Sequence, residues 1–184
     1  MSAAPKRVPA AEEEDHIDRF LASLDLHGID LTIEGIVDRI MGIQRRIKRS
    51  MDETLSGFEL TWGEWAVLGT LLRKSSNRAS PGELARNHEL SSGAMTNRLD
   101  RLEEAGFVRR IPNPDDRRGI VVELTDEGQR VWRESVDAQA KKEAMIAAAA
   151  LNADEREELN AYLRRLMLAF ERTDPEDSHY KGND

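Results

Sequence analysis

The stretch SPGELARNHELSSGAMTNRLDRLEEAGFVRRIPNPDDRRGIVVELTDEG, Ser80 to Gly128, decides how this chain folds. It opens on SPGE, a capping-box pattern with Pro81 in the first helical position, where its missing N–H costs nothing. That predicts a short helix over about Pro81–Asn87. A tight HEL connection follows, and then Ser91 or Ser92 caps a second helix whose apolar face is Met95, Leu99 and Leu102. Gly106 stops it, since glycine tolerates the left-handed conformation that ends helices. Two helices joined this closely make a helix-turn-helix. Next come two β-prone runs, Phe107–Ile111 and Ile120–Leu124, separated by PNPDDRRG. They predict a hairpin with a long charged tip, the wing of a winged helix.

The residue types on this frame suggest a chemistry. The second helix of such a motif enters the DNA major groove, N-terminal residues toward the bases. Ser91, Ser92, Thr96 and Asn97 are short hydrogen-bonding groups suited to phosphates or base edges, and Arg98 and Arg101 reach phosphate or guanine. The bland reading stands beside this one: serines are ordinary caps, and any exposed helix carries arginine. The hairpin shifts the balance, because packing does not explain Asp115, Asp116, Arg117 and Arg118 in a row beside such a helix. A metal site there would need more oxygen ligands, and the loop supplies two cations instead. From Arg86 to Arg118 the seven arginines (86, 98, 101, 109, 110, 117, 118) outnumber six acids only slightly.

Outward from this core the chain is helical. His16–Leu26 has a short amphipathic pattern through Ile17, Phe20, Leu21 and Leu24. From Thr32 a long stripe runs through Ile33, Ile36, Val37, Ile40, Ile43, Ile47, Met51 and Leu55 at steps of three and four. TWGE at Thr61–Glu64 opens another helix, TDEG at Thr125 the next, and Asn152 or Asp154 caps a last one striped by Leu159, Tyr162, Leu163, Leu166, Met167 and Phe170. The stripes suit a core or an α-helical dimer interface, and three long flanking helices exceed what a lone winged helix needs. The expected fold is mainly α with a small β-hairpin wing. Its parts are a disordered arm with a short extra helix (1–31), an N-terminal dimerisation helix (32–57), the winged helix-turn-helix domain (58–130), C-terminal dimerisation helices (131–172) and a disordered tail (173–184).

Composition narrows the function. The net charge of -8 argues against indiscriminate nucleic-acid binding, so any contact must come from a local basic surface. With no cysteine, disulfides and thiolate metal sites are excluded, which fits a cytoplasmic protein. No apolar run approaches membrane-span length, and the first residues lack the apolar segment of a secretory signal. The four histidines (16, 27, 88, 179) are scattered without ligand spacing. Neither a phosphate-cradling glycine loop nor a nucleophile elbow is present. No enzyme, cofactor or metal is expected.

The stretch quoted above resembles the DNA-binding core of the MarR family of bacterial transcription regulators. The likeness is strongest at TNRLDRLEEAGFVRR, at the D-x-R of Asp116 and Arg118, and at V-x-L-T, Val122–Thr125. The resemblance implies a homodimer of winged-helix domains on a pseudo-palindromic operator in double-stranded DNA, often released by a small anionic aromatic effector. It makes Ser91, Ser92, Thr96, Asn97 and Arg98 groove or phosphate contacts, joined by Arg101. Arg118 becomes the minor-groove residue, with Asp116 shaping the wing and Arg117 near phosphate. For an effector, Phe20, Trp62 and Trp65 are candidates for an aromatic lining, or core residues, and His27 and Arg39 for positive charge. The extra N-terminal helix resembles the urate-sensing branch of the family. Phe20 stands there where that branch has Trp, and Ala66 where it has an acid. A winged helix used only for protein contact is the competing reading.

Overall fold

In a computed structural model, residues 13–24, 27–113 and 119–173 are described. The expected disorder of the two ends and the tip of the wing fall largely outside them. The element order is α1 (His16–Ala22), α2 (Leu31–Ser56), α3 (Trp62–Arg73), β1 (Arg78–Ala79), α4 (Pro81–Asn87), α5 (Ser92–Glu104), β2 (Val108–Pro112), β3 (Ile120–Leu124), α6 (Asp126–Ala150) and α7 (Ala153–Thr173). The described residues divide into two units, Glu14–Lys141 and a second that holds Lys142 onward. The fold is mostly helical with one small antiparallel sheet.

Local chemistry starts each helix where the sequence places it. Thr61 and Glu64 close a reciprocal capping box on α3, the Thr61 hydroxyl accepting from the Glu64 amide and Glu64 accepting from the Thr61 amide. Ser80 caps α4 with Pro81 behind it. The expected reciprocal half is not made, because the Glu83 carboxylate pairs with Lys74 instead. Asn152 and Glu155 bond each other's backbone amides at 3.0 and 2.7 Å and so open α7. In the HEL connection Glu89 takes a φ of +52°, the left-handed turn that lets α5 reverse across α4.

The first unit is built on one core. Met51 and Leu55 from the end of α2, Val67, Leu68 and Leu71 from α3, Leu84 from α4, and Met95, Leu99 and Leu102 from α5 meet Val108, Val122 and Leu124 of the sheet. Val131 of α6 closes it, and Ser135 is fully buried beneath the Trp65 indole, whose N–H donates to it at 3.1 Å. The sheet has a strand that the sequence pattern does not announce. β1 pairs antiparallel with β3, giving the order β1-β3-β2 rather than a lone hairpin. Two residues are too few to show alternation, so only the neighbouring strand reveals them. α6 is continuous from Asp126, and the expected domain boundary at 130/131 therefore lies inside a helix.

α1 is docked on α2 by Ile17 and Leu21, which are buried, and by Arg39, which donates to Asp15 at 3.0 Å and Asp18 at 2.5 Å. In the second unit, no residue of α7 is buried.

Stability and acid response are both testable from these contacts. At Gly128 an added Cβ would stand 2.1 Å from the Phe107 carbonyl oxygen, because α6 starts directly against the turn before β2. Gly128→Ala should therefore lower unfolding stability by about 1–3 kcal/mol, as overpacking does, measured by urea denaturation. The Asp15 carboxyl is held down to about 2 by hydrogen bonds from the Asp18 amide, then the Ile17 amide and Arg39, against the opposing effect of burial. Its folded value is depressed, so the α1 contact it supports is complete above the usual carboxylate range and is lost as pH falls toward about 2. Amide shifts of α1 followed by NMR should show this acid release, and Arg39→Ala should move it upward.

Candidate nucleic-acid interface

The helix-turn-helix places α5 with its apolar side fully inward. Met95, Leu99 and Leu102 are at most 1% exposed. At the other side of the same turns Ser91, Ser92, Thr96 and Asn97 are exposed. Local bonds partly use two of them. The Ser91 hydroxyl accepts from the Ala94 amide at 3.3 Å as the N-cap, and the Thr96 hydroxyl donates to the Ser92 carbonyl at 2.9 Å. Both hydroxyls keep hydrogen-bonding capacity on the outward side. The first turn carries no carboxylate, so its unpaired amides keep their partial positive charge.

The arginines divide sharply. Arg110 is tied to α5 by three bonds: its guanidinium to Glu103 at 2.5 Å and Asp100 at 2.6 Å, and its amide to Glu103 at 2.8 Å. Burial, the largest single influence, lowers its pKa, and those two carboxylates together more than reverse that. Arg109 and Arg78 both pair with Glu123, from the two strands flanking β3. Arg109 first, then Arg78, holds that buried carboxyl below the usual range. Arg101 pairs with Glu64 of α3 at 2.6 Å. Arg98 has no carboxylate within ion-pair distance among the described residues, and its guanidinium lies over Gly63, where a Cβ would stand 2.5 Å from Arg98 Cζ. Beside it His88 shares a 3.1 Å hydrogen bond with Thr70, and burial, then Arg98 and Arg73, push its pKa down.

Of the residues expected at a DNA surface, the fold thus gathers Ser91, Ser92, Thr96, Asn97 and Arg98 along one helix. Arg101 is drawn toward α3. Asp116, Arg117 and Arg118 lie outside the described residues. The flanking strands of the wing do form, with Asn113 donating its amide to the Gly119 carbonyl at 2.9 Å.

Of the residues expected around an effector, two are in contact. Trp62 and Trp65 do meet, with ring centroids 5.2 Å apart. A third indole, Trp132 of α6, stacks on Trp65 at 5.6 Å. Phe20 is 53% exposed, and among the described residues no ring contact joins it to this cluster. Arg39 is committed to α1 and His27 is exposed in the turn before α2. A shallow cavity of about 390 Å³ between the end of α2 and the start of α3 is lined by Asp52, Ser56, Glu59, Leu60, Thr61 and Trp62.

Three residues with clear roles here carry signals that sequence reading underuses. Glu64 falls in phase with Val67, Leu68 and Leu71, so helical spacing alone puts a carboxylate on the core face. Glu123 interrupts an apolar strand. Trp132 follows Val131 on the buried side of its helix.

A buried three-helix frame with a capped second helix of exposed hydroxyls and amides, beside a three-stranded wing, defines a winged helix-turn-helix DNA-binding protein. A model of the MarR family matches residues 60–120. The HTH-type transcriptional regulator PecS of Dickeya dadantii is 31% identical over 140 residues, 74% of this chain and 84% of PecS. The HTH-type transcriptional repressor YetL of Bacillus subtilis is 27% identical over 158 residues, 86% of this chain and 89% of YetL. Among solved structures, YusO from Bacillus subtilis superposes with a TM-score of 0.69 at 25% identity, over 77% of this chain and 99% of YusO. The chain belongs to the MarR family of transcriptional regulators, which are not enzymes.

Proposed function

We propose that this regulator is a cytoplasmic, homodimeric repressor that reads a pseudo-palindromic operator. The observation that carries the DNA half is the exposed flank of α5. Ser91, Ser92, Thr96 and Asn97 line it, Arg98 lies at its edge without a carboxylate partner among the described residues, and the helix N-terminus is free of acids. Short donors read base edges or phosphates, and the helix N-terminus favours a phosphate. Arg118 of the wing enters the minor groove, whose narrow stretches concentrate negative potential. Asp116 steadies the wing turn and Arg117 faces phosphate. Repression follows the relative YetL, which is named a repressor.

Dimerisation is supported by α2. Ile33, Ile36, Val37, Ile40, Ile43 and Ile47 form one stripe, each at least 42% exposed. An apolar stripe of that length left in water is costly, at about 25 cal/mol for each Å². A second copy of the chain covers it, and the exposed apolar residues of α7 are covered in the same way. Two α5 helices then address half-sites about 34 Å apart.

A small aromatic effector releases the DNA. The indoles of Trp62, Trp65 and Trp132 support this, since Trp62 also lines the cavity beside α2. The carboxylates of Asp52 and Glu59 in the same lining weigh against a strongly anionic molecule.

Genomic fragments selected by the purified protein should share a palindromic site, and its affinity should fall steeply with salt as counterions are released. Arg118→Ala should weaken that binding about ten-fold or more, roughly 1–3 kcal/mol, with the thermal midpoint nearly unchanged. Unchanged affinity would remove Arg118 from the interface, and failure to enrich any duplex would favour a winged helix used for protein contact. Light scattering at micromolar concentration should report twice the chain mass. A monomer there would sink the palindrome.

A further inference from the structure

The first turn of α3 receives two guanidinium groups from α5. Arg98 and Arg101 lie one turn apart on one flank of that helix. Arg98 rests on Gly63, close enough that a Cβ there would meet the guanidinium at 2.5 Å. Arg101 Nε donates to Glu64 Oε1 at 2.6 Å. Glu64 is 5% exposed, and its other oxygen accepts from the Thr61 amide at 2.8 Å and the Thr61 hydroxyl at 2.7 Å. Both carboxylate oxygens are thus engaged. Burial raises its pKa, and Arg101 and Thr61 together more than reverse that.

The apolar contacts of Met95, Leu99 and Leu102 fix how close α5 lies to the core, but dispersion and hydrophobic burial are weakly directional. A charge-assisted hydrogen bond to a rigid acceptor is directional. Arg101 also sits about 15 Å along the helix axis from Ser91, far from the end that reads DNA.

We propose that Glu64 and Arg101 form a latch that sets the rotation of α5, so that Arg101 is a positioning residue acting on DNA affinity through Glu64 rather than a DNA contact. The proposal rests on the DNA-binding reading of α5. Its distinctive consequence is that loss of either partner has the same effect, because each leaves the other with nothing to hold. A phosphate contact would behave differently: its loss would remove counterion release, and Glu64 would be indifferent to it.

The full-length protein supports a test in two arms. Without DNA, the Arg101 side-chain Nε–H, assigned by its absence in Arg101→Lys, should exchange slowly in the wild type and fast in Glu64→Gln. With a duplex selected by the wild type, Glu64→Gln and Arg101→Met should each weaken binding by a similar factor, roughly three- to ten-fold. The double variant should be no weaker than either, with the salt slope unchanged throughout. In Glu64→Gln the side-chain carbonyl can still accept from Thr61, so the helix start survives the change, and a thermal midpoint within a few degrees of wild type checks this. An Nε–H that exchanges fast in the wild type overturns the latch. So does a salt slope lowered by about one contact in Arg101→Met while Glu64→Gln binds normally. A wild type that selects no duplex overturns the DNA reading, and the functional half of the proposal with it, while the exchange arm still decides whether the latch exists.

Discussion

The exposed face of the helix-turn-helix depends on how α5 is held. Met95, Leu99 and Leu102 sink into the core against α3 and the sheet, and their burial turns the opposite flank of the helix outward. Burying three such side chains is worth several kcal/mol, roughly 1.5–3 each, a large share of what a domain this size retains after its entropy cost. The helix that carries the exposed hydroxyls is therefore among the most firmly seated elements, and the groups it displays are presented by a rigid support.

Charge is distributed to the same end. The chain is acidic overall, yet several acids near α5 pair with its own arginines. Glu103 and Asp100 tie Arg110, Glu123 ties Arg109 and Arg78, and Glu64 ties Arg101. Most of these pairs are partly exposed, and their worth lies less in stability than in geometry. They join the wing strands to α5 and α5 to α3. These carboxylates are neutralised by arginines, and the pairs tie the three elements together. An acidic regulator of DNA is not a contradiction when its carboxylates face its own arginines.

Much of this was legible beforehand. The caps at Thr61, Ser80, Ser91 and Asn152 sit where short polar side chains precede apolar periodicity, because unsatisfied helix amides demand a nearby oxygen. The faces of α2, α5 and α7 follow from steps of three and four. The expected pocket was less legible. Trp62 and Trp65 meet a third indole, Trp132, while Arg39 is bonded to Asp15 and Asp18 beside α1. Periodicity reports which side of a helix is apolar, and says nothing about which other element will cover it.

The sequence by itself determined the helices, the two hairpin strands, and the apolar face of each, since those depend on interactions within a few residues along the chain. Only the tertiary structure decided the partners of the charges. The Arg101 guanidinium donates to Glu64, 37 positions away, a pairing that no pattern around either residue announces. β1 exists only because β3 lies beside it, and Trp132 of α6 completes an aromatic cluster begun at Trp62 of α3, with five elements between them in the chain. Long-range pairs of this kind depend on where the chain returns to itself, and no local pattern encodes that.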